Sequence, residues 1–141
     1  MKYNVDLLKI IQLGMTLSDS QGNLHYAWQF SFRDFNIEHD PCIDLKKNRE
    51  TGIDSSDFAW MVLSSGLVFS NSSITWSTFH GAYDFGFLIR ILTRRELPSD
   101  MASFLGMVSF FFGVRVYDTK FMMGSISGLR GGLERVAKLL V

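Results

Sequence analysis

Ile11, Leu13, Met15 and Leu17 occupy alternate positions, and after the polar turn Ser18-Asp-Ser-Gln-Gly-Asn23 the same period of two returns at Tyr26, Trp28, Phe30 and Phe32. Two such runs flanking a turn predict an antiparallel β-hairpin. From Arg33 to Gly52 the pattern dissolves into RDFNIEHDPCIDLKKNRETG, whose charge and irregularity predict a surface connection. Asp54 and Asp57 suit a helix N-terminus, Phe58, Met61 and Val62 follow at helical spacing, and Gly66 supplies a stop, so a short helix is expected there. The β-branched and aromatic run Ser72 to Phe79 predicts a strand that breaks at Gly81, after which Phe85, Leu88, Ile89 and Leu92 recur at i, i+3, i+4 and i+7. A further helix is predicted to open at Pro98-Ser99, to turn Met101, Phe104, Leu105, Val108, Phe111 and Phe112 to one face, and to close at Gly113. Val114 to Tyr117 reads as a short strand and Asp118 as the cap of a brief turn through Met123. Ser125 to Gly132 reads as a loop, and Leu133, Val136, Ala137 and Leu140 as one face of a last amphipathic helix. A hairpin followed by alternating helices and strands, without an internal repeat, indicates an α/β fold: a mixed sheet flanked by helices.

Composition narrows the picture without redirecting it. Acidic and basic residues balance at 14 each, so no global field favours or excludes nucleic acid, and any attraction to phosphate has to be local. A hydrophobic fraction of 47% with 13 Phe excludes a disordered chain. The single Cys42 can form no internal disulfide, which suits a reducing compartment. The apolar run Met101 to Val114 is shorter than the roughly 20 residues a bilayer requires, and the N-terminus MKYNVDLLKII lacks the features of a cleavable signal. Neither a membrane span nor secretion is expected.

The residues that could carry chemistry are few. Asp84 falls in the first turn of a helix that begins where a strand ends. A carboxylate there complements the helix dipole, worth about 0.3 to 1 kcal/mol; the end of a strand in an α/β sheet also borders ligand crevices, where the same carboxylate could face a metal. His80 precedes that turn and reads as a hydrogen-bonded structural histidine or as a ligand. His25 and His39 lie in the hairpin and the charged segment, where solvated surface is the natural reading. Arg94-Arg95 and Lys46-Lys47 form a solvated basic face or a local approach to phosphate. Ser127-Gly-Leu-Arg-Gly-Gly132 lacks the Lys-Ser/Thr pair of a phosphate loop, and no Cys/His cluster has zinc spacing.

Whole phrases decide the family. NVDLLKIIQLGMTLSDSQGNL, WQFSFRDF, KNRETGIDSSDFAW, LSSGLVF, TWSTFHGAYDFGFLIRILTRRELP, FFFGVRVYDTKFMM and GGLERVAKLL resemble, over nearly the whole chain, the Caf/Pop family of poly(A) deadenylases, which are DEDD 3′-to-5′ exoribonucleases, in wording closest to plant members. The resemblance implies an RNase H-like fold. It also implies a two-metal mechanism in which carboxylates hold two divalent ions, magnesium or manganese, that activate water and stabilise the leaving 3′ oxygen. Poly(A) RNA would be the substrate, held by base stacking and ribose 2′-OH contacts. The implied partners are the Not-type scaffold and the Ccr-type deadenylase of the Ccr/Not complex, and the implied localisation is nucleus and cytoplasm.

The family draws its carboxylates from an Asp-x-Glu pair on the opening strand, from the Asp of Tyr-Asp-Phe-Gly, and from a late His-plus-Asp motif. Only the second is present, as Tyr83-Asp84-Phe85-Gly86, so by carry-over Asp84 is the catalytic metal ligand. The other motifs would lie upstream of Met1 and downstream of Val141, and NIEHDPCIDLKKN is shorter than in relatives, with Cys42 at the apparent splice. The expectation is a partial Caf-type ribonuclease domain over 1–141, incomplete because its opening central strand is absent, and catalytically deficient as it stands. The alternative is a non-catalytic, Caf-like interaction module or decayed paralogue that binds scaffold or RNA. Because the opening strand would lie between Ile10 to Leu17 and Ser73 to Phe79, either a gap or a forced pairing is expected there. Two unpaired edges then predict poor solubility or molten character.

Overall fold

The computed structural model describes residues 1–35, 44–69, 74–126 and 128–140. Strands β1 (Gln12–Ser18) and β2 (Leu24–Ser31) form the expected hairpin, in the register Leu13↔Phe30, Met15↔Trp28 and Leu17↔Tyr26. The turn is held by Asp19, whose carboxylate accepts N–H bonds from Gln21 and Asn23, both at 2.9 Å, while Gly22 takes a φ of 88° that favours glycine. Leu13 is buried, and Phe32 just beyond β2 is fully so, whereas Leu17, Tyr26 and Trp28 remain exposed at the far end. There the Tyr26 and Trp28 rings stack on one another at 5.5 Å.

Two short helices depart from the expected layout. Helix α1 (Lys2–Leu7) is stitched by a Lys2–Asp6 ion pair, buries Val5, and is anchored where Asp6 Oδ1 accepts the Leu97 N–H at 2.9 Å. Its six residues are too few for a period to show. Helix α2 (Leu45–Thr51) lies inside the segment expected to be a surface connection, and its N-cap Asp44 accepts the Lys47 N–H at 3.0 Å. Its only buried residues are Leu45 and Asn48, so its sequence carries almost no apolar signal. Gly52 follows, and a Cβ there would lie 2.3 Å from the Asn48 carbonyl oxygen and 2.8 Å from the Phe32 backbone. That close approach lets Ile53 bridge to Phe32. The apparent splice at Cys42 and the neighbouring His39 lie outside the described residues.

Helix α3 (Ser55–Ser64) starts at the predicted cap, Asp54 accepting the Ser56 N–H at 2.8 Å. It buries Phe58, Ala59 and Val62 but exposes Met61, correcting the expected face by one position. Strand β3 (Trp76–Thr78) is shorter than the predicted run, part of which lies outside the described residues. Helix α4 (Ala82–Thr93) buries all of the predicted Phe85, Leu88, Ile89 and Leu92. Helix α5 (Met101–Phe112) is capped by Asp100, which accepts the Ser103 N–H at 2.8 Å, and ends at Gly113 with φ 78°. Phe104, Val108, Phe111 and Phe112 are buried, whereas Met101 and Leu105, predicted on the same face, point to solvent. Strand β4 (Val116–Asp118) runs parallel to β3, the brief helix α6 (Thr119–Met123) follows, and α7 (Leu133–Leu140) buries Val136 while Leu133 and Ala137 stay exposed.

The strands form two separate two-stranded sheets among the described residues, β1 with β2 antiparallel and β3 with β4 parallel. A gap, not a forced pairing, thus separates β1 from β3. Helix α4 fills the centre: it packs against α1, α3 and α5, and Ile89 joins Val5, Phe32 and Phe58 as the largest fully buried side chains. Phe58 meets Phe30 and Phe32 edge-on at 5.0 and 5.2 Å, an arrangement favoured by the ring quadrupoles.

Candidate functional site

The β3–α4 junction places Asp84. Between Thr78 and Ala82 the chain turns through His80, whose φ of 66° is left-handed and unusual for a residue with a Cβ, and then through buried Gly81. A Cβ on Gly81 would lie 2.2 Å from Thr78 Oγ1, so only glycine fits. Asp118, at the end of the neighbouring β4, holds this turn: its carboxylate accepts the N–H groups of His80 at 2.9 Å and Gly81 at 3.1 Å. The same carboxylate caps α6, accepting from Lys120 at 2.9 Å and Phe121 at 3.4 Å. Thr119 Oγ1 donates to the Thr78 carbonyl at 2.7 Å and closes the joint. Burial disfavours the charged form of Asp118, but those four N–H donors outweigh it and hold its carboxyl below the ordinary 3.8.

Asp84 lies in the first turn of α4, where the N-cap Gly81 offers no side chain. As a residue it is exposed, yet its carboxyl is partly enclosed by the wall of a cleft of about 380 Å³ lined by Tyr83, Phe87 and the chain from Leu8 to Leu13. Desolvation, and after it the negative charge of Asp118, raise its pKa above 3.8, while His80 and its own backbone N–H pull the other way. The two carboxylates therefore oppose each other electrostatically at the β3–α4 junction. They are not equivalent: Asp118 is committed to four backbone donors, and Asp84 alone faces the cleft.

The other candidates disperse. His25 sits 3.3 Å from Asp19 on the hairpin turn. At His80 the backbone N–H is bonded to Asp118 while the residue is exposed. Lys46 and Lys47 lie on α2, apart from Arg94 and Arg95. Ser127 lies outside the described residues, and in the loop after it Gly131 accepts a hydrogen bond from Lys120 through its carbonyl oxygen. Among the described residues no group of three or more His, Cys, Asp or Glu side chains is arranged to hold a metal ion. What the sequence did not reveal is the second half of Asp118's role. Its helix cap was readable locally, but its bonds to His80 and Gly81 span nearly forty positions of chain.

A carboxylate at a strand-to-helix junction, on an α/β frame of this order, is the arrangement of an RNase H-like nuclease domain. No family model matches the chain, but single proteins do. The probable CCR4-associated factor 1 homolog 10 of Arabidopsis thaliana is 46% identical, over 99% of this chain and 57% of the relative. That alignment runs over 159 positions, more than the 141 residues here, so the relative carries residues inside the matched stretch that this chain lacks. The poly(A) ribonuclease pop2 of Schizosaccharomyces pombe is 38% identical, over 97% of this chain and 44% of the relative. The structure of S. pombe Pop2p in its Mg²⁺- and Mn²⁺-bound form superimposes with a TM-score of 0.87 at 37% identity, over 99% of this chain and 60% of that one. Yeast CAF1, in a structure of the yeast NOT1 MIF4G domain co-crystallised with it, gives a TM-score of 0.87 at 33% identity, over 99% of this chain and 59% of that one. The chain belongs to the CCR4-associated factor 1/Pop2 family, and it spans about half the length of the curated relatives it matches.

Proposed function

We propose that residues 1–141 form part of a Caf-type ribonuclease domain whose activity is poly(A)-specific 3′-to-5′ exonucleolysis, acting within a Ccr/Not assembly in nucleus and cytoplasm. The observation that carries this reading is the exposed Asp84 on the cleft at the β3–α4 junction, in a chain that superimposes on a magnesium- and manganese-bound relative over 99% of its length. Its substrate would be poly(A) RNA, and its partners a Not-type scaffold and a Ccr-type deadenylase, in keeping with the names and the co-crystal of its relatives. Asp84 would be a ligand to one of two divalent ions, magnesium or manganese.

The described residues do not complete such a site, since they offer no cluster of three ligating side chains. Two dications require several carboxylates to offset their charge. The rival reading is a non-catalytic Caf-like module, in which Asp84 holds no metal. A graft separates the two: this chain replaces the matched residues of S. pombe Pop2, and shortening of a labelled oligoadenylate is followed with magnesium or manganese. The expected result is metal-dependent shortening that Asp84→Ala abolishes, while the ungrafted chain shows none above background. A folded graft that is inactive, or one indifferent to Asp84→Ala, would overturn the enzymatic reading.

A further inference from the structure

A second cleft, of about 230 Å³, opens toward the other end of α4. Its positive charge comes from Lys9, Arg90 and Arg94, which line it together with Asp6 and Asp34. Arg94 lies ten residues beyond Asp84, roughly 15 Å along the helix axis at 1.5 Å per residue, and the two clefts adjoin along Lys9 and Phe87, which line both.

The two carboxylates are already engaged by donors other than these cations. Asp6 accepts the Leu97 N–H at 2.9 Å and pairs with Lys2, and Arg90 Nε stands 3.8 Å away. Asp34 accepts from Ser55 N at 3.2 Å and Ser55 Oγ at 2.6 Å, with Lys9 Nζ at 3.6 Å. At 3.6 and 3.8 Å the cations are near enough for attraction but beyond hydrogen-bond distance, so both retain donor capacity. Arg94 feels the charge of Asp54, a carboxylate bonded to the Ser56 N–H, and forms no ion pair with a described carboxylate.

Two features of this cluster run against stability. Arg90 and Arg94 stand at i and i+4, where like charges repel. Arg94 also occupies the helix C-cap with φ 55° and ψ 22°, a left-handed conformation that glycine adopts at far lower cost. The negative end of the helix dipole offsets part of the repulsion, but it explains neither the backbone strain nor the convergence of Lys9 from the opposite wall. Strain of this kind concentrates where a ligand is held.

We propose that this cleft binds a phosphate group, engaged by the Arg90 and Arg94 guanidinium groups and the Lys9 ammonium, with the apolar side of Phe87 beside it. The site does not depend on the Asp84 reading, because it uses no metal. Binding of inorganic phosphate, of AMP and of a short oligoadenylate to the 141-residue chain is measured by titration calorimetry in EDTA, with melting temperatures taken in parallel.

The expected result is saturable binding of all three, weakened roughly tenfold by Arg94→Gly through loss of charge-assisted hydrogen bonds, while that variant melts no lower because its cap strain is relieved. Arg90→Gln, which leaves the cap as it is, should weaken binding similarly, and Asp84→Asn should not change it. Preference for AMP over phosphate would assign a nucleotide as the ligand, and affinity growing with oligomer length would assign an RNA backbone. No saturable binding, or binding indifferent to both Arg94→Gly and Arg90→Gln, would overturn the proposal. Loss of binding in EDTA alone would return the phosphate to the Asp84 site and overturn it equally.

Discussion

Asp84 sits where desolvation and a neighbouring carboxylate disfavour its charged form. Its pKa is raised from the ordinary 3.8 by desolvation and by Asp118, so the native state holds its proton more tightly than the unfolded chain does. By linkage the fold gains from Asp84 only below about 3.8 and loses that gain as pH rises through the native value. Asp84→Asn should therefore leave the melting temperature at pH 7 equal to or slightly above that of the parent, and the difference should vanish as pH falls toward 3, a comparison thermal melts can follow. A fall of many degrees at pH 7 would show that the carboxylate has a structural partner. The isolation of Asp84 among Phe79, Tyr83, Phe85 and two glycines was legible in the sequence, as was its first-turn position. The second negative charge was not, because Asp118 reaches this turn through β3–β4 pairing.

Secondary structure elements were legible in proportion to the apolar surface they bury. Helices α4 and α5 each bury four or more residues at helical spacing and were legible, although α5 opens at the Asp100 cap and not at Pro98-Ser99, and the Arg94 C-cap of α4 was not foreseen. Helices α1 and α2 bury one and two, and were missed because tertiary anchors such as the Asp6–Leu97 bond hold them in place of a periodic face. The outward turn of Met61, Met101 and Leu105 has the same origin. An apolar residue beside a helix stripe reads as part of it until the neighbouring element is known. Asp118 acts at this scale, joining the β3–α4 turn to the β4–α6 turn with one carboxylate. Its removal leaves the buried Gly81 N–H without an acceptor, so Asp118→Ala should cost about 1 to 3 kcal/mol, diminished by relief of its repulsion with Asp84. Chemical denaturation checks the size of the loss, and amide exchange should place it at His80 and Gly81. The carboxyl of Asp118 is held below 3.8 by its N–H donors, so its contribution is present above that pH and fades as pH falls through the native value.

The molecule as a whole carries more surface than its mass requires. A compact 16.1 kDa protein exposes about 7,400 Å² by the usual scaling, whereas this chain exposes 9770 Å², with Tyr26, Trp28, Trp60 and Phe110 among the large apolar side chains in contact with solvent. With β1 and β3 each lacking a neighbour across the gap, the isolated chain is expected to elute in size-exclusion chromatography as larger than a monomer, or to bind a hydrophobic dye strongly. Monomeric elution with sharp, dispersed amide resonances and a cooperative melt would refute this. The gap has a mechanical consequence too. Among the described residues the two sheets share no strand, and the hairpin is tied to the helices by a single β-bridge between Phe32 and Ile53 and by the Phe30 and Phe32 rings against Phe58 of α3. Such contacts give way over about an ångström, where a strand ladder would resist in series. The hairpin is thus the part most easily drawn away from the helices, and its amides should open to solvent in a smaller, earlier event than those of β3 and β4.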